Sequence, residues 1–206
     1  MSKQVLGVLC SGRGTDLQSI IDAIGRGEVD ATIALVLTDK PDAYALTRAE
    51  KAGIKALCID RKQFDGRQPF EEALIKALDE AGVTLVVLAG FMRILTPYFV
   101  RHYVGRIMNI HPALLPSFPG AHAHRDVLAY GVKVSGCTVH FVDEGTDSGP
   151  IILQAAVPVL DDDTEETLGA RVLEQEHIIY PKAIQLYCEG RLKVDGRHVR
   201  ILPAKN

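Results

Sequence analysis

"QVLGVLCSGRGTDLQSIIDAIGRG", residues 4–27, is the stretch that decides the fold. Its first seven residues are almost continuously apolar, as strands covered on both faces tend to be. Gly12 and Gly14 then break the run. Beyond them apolar residues recur at helical spacing until Gly25 and Gly27, a common helix stop. The stretch therefore reads as strand, glycine loop, helix.

The same alternation continues outward from it. "ATIALVLT" (31–38), "IKALCI" (54–59) and "LVVLAG" (85–90) read as strands. "DAYALTRAEKAG" (42–53) and "PFEEALIKALDEAG" (69–82) read as amphipathic helices ending at glycine. In the second, Phe70, Leu74, Ala77, Leu78 and Ala81 form one stripe, best explained as core packing. Strand–helix alternation predicts an α/β fold with a Rossmann-like, mostly parallel sheet and right-handed crossovers. A fifth strand, "GRIMNIH" (105–111), follows the short segment "TPYFVRHY".

The character then changes. "VKVSGCTVHFV" (132–142) and "GPIILQAAVPVL" (149–160) are long strands joined by an acidic loop, forming a β-arm or extending the sheet antiparallel. A long helix is expected from Asp163 or Thr164, with Glu166 behind the cap, and Pro181 is expected to kink or split it. Asp195-Gly196 in "RLKVDGRHVRIL" predicts a type I′ hairpin. No linker is visible, so one domain over 1–206 is expected, with a phosphate-binding half (1–104) and a catalytic half (105–206).

Composition narrows the function. The net charge is −3 and no lysine/arginine stripe stands out, which argues against a bulk electrostatic grip on nucleic acid. No window approaches the roughly 20 apolar residues of a membrane helix. The N-terminus lacks a signal-peptide pattern, so a cytoplasmic protein is expected. Cys10, Cys58, Cys137 and Cys188 form no CxxC pair and read as reduced, mostly buried thiols.

The glycine loop, opening onto a helix N-terminus, is a good phosphate cradle. A dinucleotide fingerprint would want a third glycine where Leu17 stands, although Asp39 could mimic its ribose-binding acid. A monophosphate fits better than a nicotinamide dinucleotide, and a purely structural turn is the plain alternative.

Asn109 and His111 are two apart, so a strand points both the same way at its carboxyl end. Ligand sites of open α/β sheets gather there. Two such side chains can donate hydrogen bonds to a developing oxyanion. The following "PALLPSFPG" (112–120), with three prolines, makes a rigid wall. Asp147 in "DEGTDSGP" is a candidate partner that would orient the imidazole and favour its charged form. A solvated acidic loop is the alternative there, as a satisfied structural histidine is for His111. "HAH" (122–124) invites a metal reading, but no HExxH-like pattern supports it and no metal is expected. The absence of GxSxG argues against a serine hydrolase.

"LCSGRGTDLQSII", "VVLAGFMRILTPYFV", "NIHPALLPSFPGAHAHRDVL" and "GVKVSGCTVHFVDEGTDSGPIILQ", in that order, resemble the glycinamide ribonucleotide formyltransferases, folate-dependent enzymes of purine synthesis. The resemblance runs from the first strand to about residue 187. It implies the formyltransferase fold, with antiparallel C-terminal strands, and formyl transfer from 10-formyltetrahydrofolate, a co-substrate, to the amine of glycinamide ribonucleotide. By it, Asn109 and His111 stabilise the oxyanion, His111 is the general acid, and Asp147 raises its pKa and helps pass protons.

Gly14, Thr15 and Asp16 match the phosphate loop, and Leu173 and Glu176 a substrate-binding stretch. Arg67, Met92, Arg93, Ile94 and Leu95 match the folate side, together with Asn109 and the pterin loop Asp143, Glu144, Gly145, Thr146 and Asp147. Relatives often carry Gly-Ser-Asn where this chain has Gly14-Thr15-Asp16. An aspartate beside a phosphate is unfavourable unless its side chain caps the helix instead, and Arg13 could offset its charge. Leu173 replaces a polar residue of some members, so no side-chain contact is expected from it.

The implied partners are small molecules, with no nucleic acid or membrane, for a monomer or homodimer. A formyltetrahydrofolate hydrolase would share the Asn–His–Asp set but carry an N-terminal regulatory domain. A methionyl-tRNA formyltransferase would need a C-terminal RNA-binding domain. A nicotinamide-binding module is the rival of a different class.

Overall fold

A computed structural model describes residues 3–204. The chain divides between Met108 and Asn109 into two compact units. The first carries β1 (Gln4–Cys10), α1 (Thr15–Gly25), β2 (Ala31–Thr38), α2 (Tyr44–Lys51), β3 (Ala56–Cys58) and a single 3-10 turn (Arg61–Gln63). It continues with α3 (Arg67–Glu80), β4 (Leu85–Leu88), α4 (Pro97–His102) and the opening of β5 (Ile107–His111). Its strands lie in the order β3-β2-β1-β4, all parallel. Leu6, Val8 and Leu9 of β1 and Val36 and Leu37 of β2 are fully buried, as a strand covered on both faces requires. Gly7 has a packing reason. A Cβ there would lie 2.4 Å from Leu78 Cδ2 of α3, so the absent side chain lets the helix come down on β1.

The second unit holds the end of β5, then α5 (Ala123–Tyr130), β6 (Val134–Phe141), β7 (Ile151–Pro158), α6 (Glu165–Cys188), β8 (Leu192–Asp195) and β9 (His198–Ile201). β6 and β7 are antiparallel, β9 pairs with β7 in parallel, and β8 and β9 form an antiparallel hairpin. α6 packs on β6 and β7. The α/β class, the parallel strands and the antiparallel C-terminal strands are as expected from the sequence.

Three expectations need correction. Pro181 does not split the last helix, which runs unbroken from Glu165 to Cys188. Proline withholds one N–H from the His177 carbonyl, but Ile179, Tyr180, Pro181, Ala183 and Ile184 are all buried, and that packing holds the element together. The C-terminal turn is not type I′. Asp195 pairs with His198 inside the ladder, so the loop residues are Gly196 and Arg197. Of these only Gly196 has positive φ, at 57°, the glycine-first pattern of type II′. The partner in the α6 capping box is Thr167 rather than Glu166. Of the cysteines, Cys10 and Cys137 are buried, Cys188 is intermediate and Cys58 is exposed.

Candidate active site

β5 ends on the Asn109–His111 pair, and the loop after β6 brings Asp147 back toward it. His111 is almost fully buried. Its Nε2 lies 2.8 Å from the Phe118 carbonyl oxygen, which can only accept, so Nε2–H donates. Its Nδ1 lies 3.4 Å from Asp147 Oδ2. Both ring nitrogens thus face acceptors. Asp147 Oδ2 also accepts from the Gly120 amide at 2.8 Å, which aims the carboxylate. Phe118 (φ 54°) and Asp147 (φ 50°) are the described non-glycine residues with positive φ, and both stand at this histidine. Such backbone costs of order 1–3 kcal/mol per residue and tends to cluster at functional sites.

His140, which sequence reasoning missed, completes the cluster. It is buried in β6, and its Nδ1–H donates to the Phe141 carbonyl at 2.8 Å. Burial, the largest influence, lowers its pKa from the ordinary 6.5; the Phe141 hydrogen bond and Asp147 act the other way. The neutral ring then offers Nε2 as an acceptor, 3.2 Å from Asn109 Nδ2. That contact orients the Asn109 amide: nitrogen toward His140, with one N–H left for another partner. Asp147 Oδ1 is 3.9 Å from His140 Nε2, too far for a hydrogen bond. The signal that pairs Asn109 with His111 was also present in "CTVHF", a polar residue in an apolar strand.

The loop bearing Asp147 is shaped from within. Asp143 Oδ1 accepts from the Gly145 amide at 3.0 Å and from Ser148 Oγ at 2.5 Å. Glu144, Gly145 and Thr146 are exposed. A Cβ on Gly149 would sit 1.7 Å from the Phe141 oxygen, so only glycine closes the loop this tightly. Arg197 Nη2, in the C-terminal turn, donates to the Ser148 carbonyl at 2.8 Å. His122 is exposed at the start of α5, and His124 is half-buried, its pKa lowered mainly by burial.

The first unit carries the glycine loop. Gly14, with φ 69°, is the residue before α1, and a Cβ there would lie 2.9 Å from Ala45 Cβ. The Gly12 carbonyl accepts from the Ala45 amide at 3.1 Å, and the Arg13 carbonyl from Arg48 Nε at 2.7 Å. The loop is therefore rigid. The first bond of α1 is from the Gln18 amide to the Gly14 carbonyl, so the Thr15, Asp16 and Leu17 amides stand ahead of the helix's own hydrogen bonds. Asp16 lies in the first turn of α1, whose cap residue Gly14 offers no side-chain hydrogen bond, and is not left in solvent. Its carboxyl is buried instead, and burial raises its pKa from 3.8 to about 7.

The segment after β4 is pinned at both ends. The Met92 amide donates to Ser11 Oγ at 2.8 Å. The buried Glu71 carboxylate accepts from the Thr96 amide at 2.8 Å and from its hydroxyl. Between these anchors Met92 and Ile94 are exposed and Leu95 is buried. Arg93 Nε donates to Asp39 Oδ2 at 2.6 Å, so Asp39 is engaged by an arginine rather than open to a ribose. Arg67 is exposed at the first position of α3. On α6, Glu176 is buried and Leu173 half-buried.

The second unit thus brings Asn109, His111 and Asp147 together with His140. The first carries the glycine loop and the 92–95 segment. Such a fold and site define an α/β protein with an oriented asparagine amide beside an imidazole–carboxylate pair.

Comparison with known proteins narrows the class. Residues 4–184 match the family described as "Formyl transferase", and the chain belongs to that family. It is 48% identical over 187 residues to the phosphoribosylglycinamide formyltransferase of Escherichia coli (strain K12), covering 91% of this chain and 88% of that protein. The crystal structure of glycinamide ribonucleotide transformylase 1 from Symbiobacterium toebii superimposes with a TM-score of 0.96 at 52% identity, covering 98% of this chain and 95% of that one. A formyltetrahydrofolate deformylase from Pseudomonas syringae aligns at 26% identity with a TM-score of 0.91, covering 98% of this chain and 67% of that one. No helix among the described residues is long and apolar enough to cross a membrane.

Proposed function

We propose that the protein transfers the formyl group of 10-formyltetrahydrofolate to the amine of 5'-phosphoribosylglycinamide, giving formylglycinamide ribonucleotide and tetrahydrofolate in purine synthesis. The observation that carries the chemistry is the oriented Asn109 amide on the same strand end as a histidine held against Asp147. The amine nitrogen attacks the formyl carbon, and its lone pair becomes the new C–N bond. The carbonyl electrons move onto oxygen, and the oxyanion takes hydrogen bonds from Asn109 Nδ2–H and from His111. This reading assigns the oxyanion to side-chain donors. Collapse of the tetrahedral intermediate breaks the bond to folate N10, which leaves with a proton. His111 supplies that proton as general acid, and Asp147 orients the ring and helps move the proton from the attacking amine. To act, His111 Nε2–H exchanges the Phe118 carbonyl for the substrate.

Gly14, Thr15 and Asp16 present backbone amides to the nucleotide phosphate. A buried Asp16 with its pKa near 7 carries less charge against that phosphate than an exposed aspartate would. Glu176, with Leu173 one turn earlier, serves the rest of the nucleotide. Arg67, Met92, Arg93, Ile94 and Leu95 take the folate, together with Asn109 and residues 143–147. The enzyme works in the cytoplasm as a monomer or homodimer.

The identity with the Escherichia coli enzyme supports the acceptor. The likeness to the Pseudomonas syringae deformylase favours hydrolysis of the same donor as the second reading. One assay separates them: loss of formyl from 10-formyltetrahydrofolate with and without phosphoribosylglycinamide. Product that requires the nucleotide is expected; nucleotide-independent release of formate refutes the transferase. His111→Ala is expected to lose about 10²–10⁴-fold in kcat while donor binding survives, and near-wild-type turnover would remove His111 from the mechanism.

A further inference from the structure

The mechanism leaves the buried carboxylate of Asp39 unused. Asp39, just after β2, has a side chain that is 0% exposed. Its Oδ2 accepts from Arg93 Nε at 2.6 Å, while Oδ1 is buried and has no hydrogen-bond partner among the described residues. A carboxylate in such a place needs a cation, and Arg93 supplies it. The pairing uses the inner nitrogen of the guanidinium. The two terminal amino groups of Arg93 make no hydrogen bond among the described residues, and the side chain is 40% exposed. The guanidinium is thus clamped from behind, with its forked edge left for another partner.

The surroundings hold that edge still. Ser11 Oγ pins the Met92 amide, and Glu71 pins Thr96. On either side of Arg93 lie two exposed apolar side chains, Met92 at 67% and Ile94 at 63%. A pinned cation between apolar neighbours suits an anion carried on an apolar body. A planar fork of N–H groups matches the two oxygens of a carboxylate. An arginine already fixed in one rotamer loses less freedom on binding than a free one.

We propose that Asp39 is a positioning residue for the acyl donor, holding Arg93 so that its terminal amino groups pair with a carboxylate on the donor's tail. The inference rests on the reading above, in which the donor is a formyl-folate carrying glutamyl carboxylates. The nucleotide's phosphate is the other source of an anion, and the test separates the two.

Steady-state kinetics would be measured for Asp39→Asn, Arg93→Gln and the double variant. The donors would be 10-formyltetrahydrofolate and the same molecule lacking its glutamyl tail. Asp39→Asn is expected to raise the KM for the tailed donor about tenfold, with kcat changed less than twofold. The KM values for the tail-less donor and for the nucleotide are expected to stay put. In the Arg93→Gln background, Asp39→Asn is expected to add nothing, because it acts through that arginine.

A tailed-donor KM within twofold of wild type overturns the inference. So does an equal rise for the tail-less donor, or a rise confined to the nucleotide. Should Asp39→Asn fail to fold, the exposed Arg93→Gln decides: an unchanged tailed-donor KM overturns the proposal, and a rise with the tailed donor alone supports it. A wild-type enzyme that uses both donors with equal KM refutes only this inference. One that turns over neither refutes the function it rests on, and the inference with it.

Discussion

At the scale of single residues, His140 carries the sharpest consequence. Burial holds its pKa below 6.5, against the opposing pull of the Phe141 hydrogen bond, Asp147 and Asp143, while His111 reinforces the lowering. Only the neutral ring can accept from Asn109; protonation would set a donor against the Asn109 N–H. In the unfolded chain the same ring titrates near its ordinary value. Stability from this group is therefore complete above pH 6.5 and drains away as pH falls toward the lower folded value. Titrating the imidazole C2–H by NMR is expected to give a midpoint below 6.5 for His140, and a midpoint at or above it would contradict the assigned tautomer. Asn109, His111 and Asp147 were legible because i, i+2 spacing and an acidic loop are properties of the chain itself. The Phe118 carbonyl and the Gly120 amide were not, because backbone groups in a loop show their direction only once φ and ψ are set. Asp16 was only partly legible for a related reason: its position beside a helix start was visible, its burial was not.

At the scale of elements, α6 depends on how it starts. Thr164 Oγ1 accepts from the Thr167 amide at 3.2 Å, and Thr167 Oγ1 accepts from the Thr164 amide at 2.9 Å. Asp163 then binds Arg171 through both carboxylate oxygens, at 2.8 and 2.9 Å, and accepts from the Leu160 amide at 2.7 Å. Thr164→Ala is expected to cost about 1 kcal/mol in urea unfolding, the usual loss of a side-chain cap. An unchanged midpoint would mean that Asp163 alone holds the helix start. β1 and β2 were readable to the residue because strands covered on both faces are apolar throughout and end sharply at glycine or a polar run. α5 was not read as an element; it follows three prolines and begins within "HAH", and its eight residues bury only Ala123 and Val127. The continuity of α6 through Pro181 was out of reach too, since it depends on what packs against the helix.

At the scale of the whole molecule, the thiols sort by environment. Cys58 is exposed, whereas Cys10 and Cys137 are fully buried and burial pushes the Cys10 thiol far up, with Asp16 adding to it. Reaction of the native protein with Ellman's reagent is expected to modify Cys58 first, with Cys10 and Cys137 silent until denaturant is added. Rapid native labelling of Cys10 would mean that β1 opens far more readily than its burial implies. The C-terminal hairpin raises a different matter. The family match ends at residue 184, yet Arg197, beyond it, donates to the Ser148 carbonyl beside Asp147. The family match and the physical support of the acidic loop therefore have different boundaries along this chain. Exchanging hairpins between relatives would leave every matched position untouched while changing what steadies the acidic loop, so the tail is a handle on the loop's mobility that selection or an engineer can turn without rewriting the chemistry.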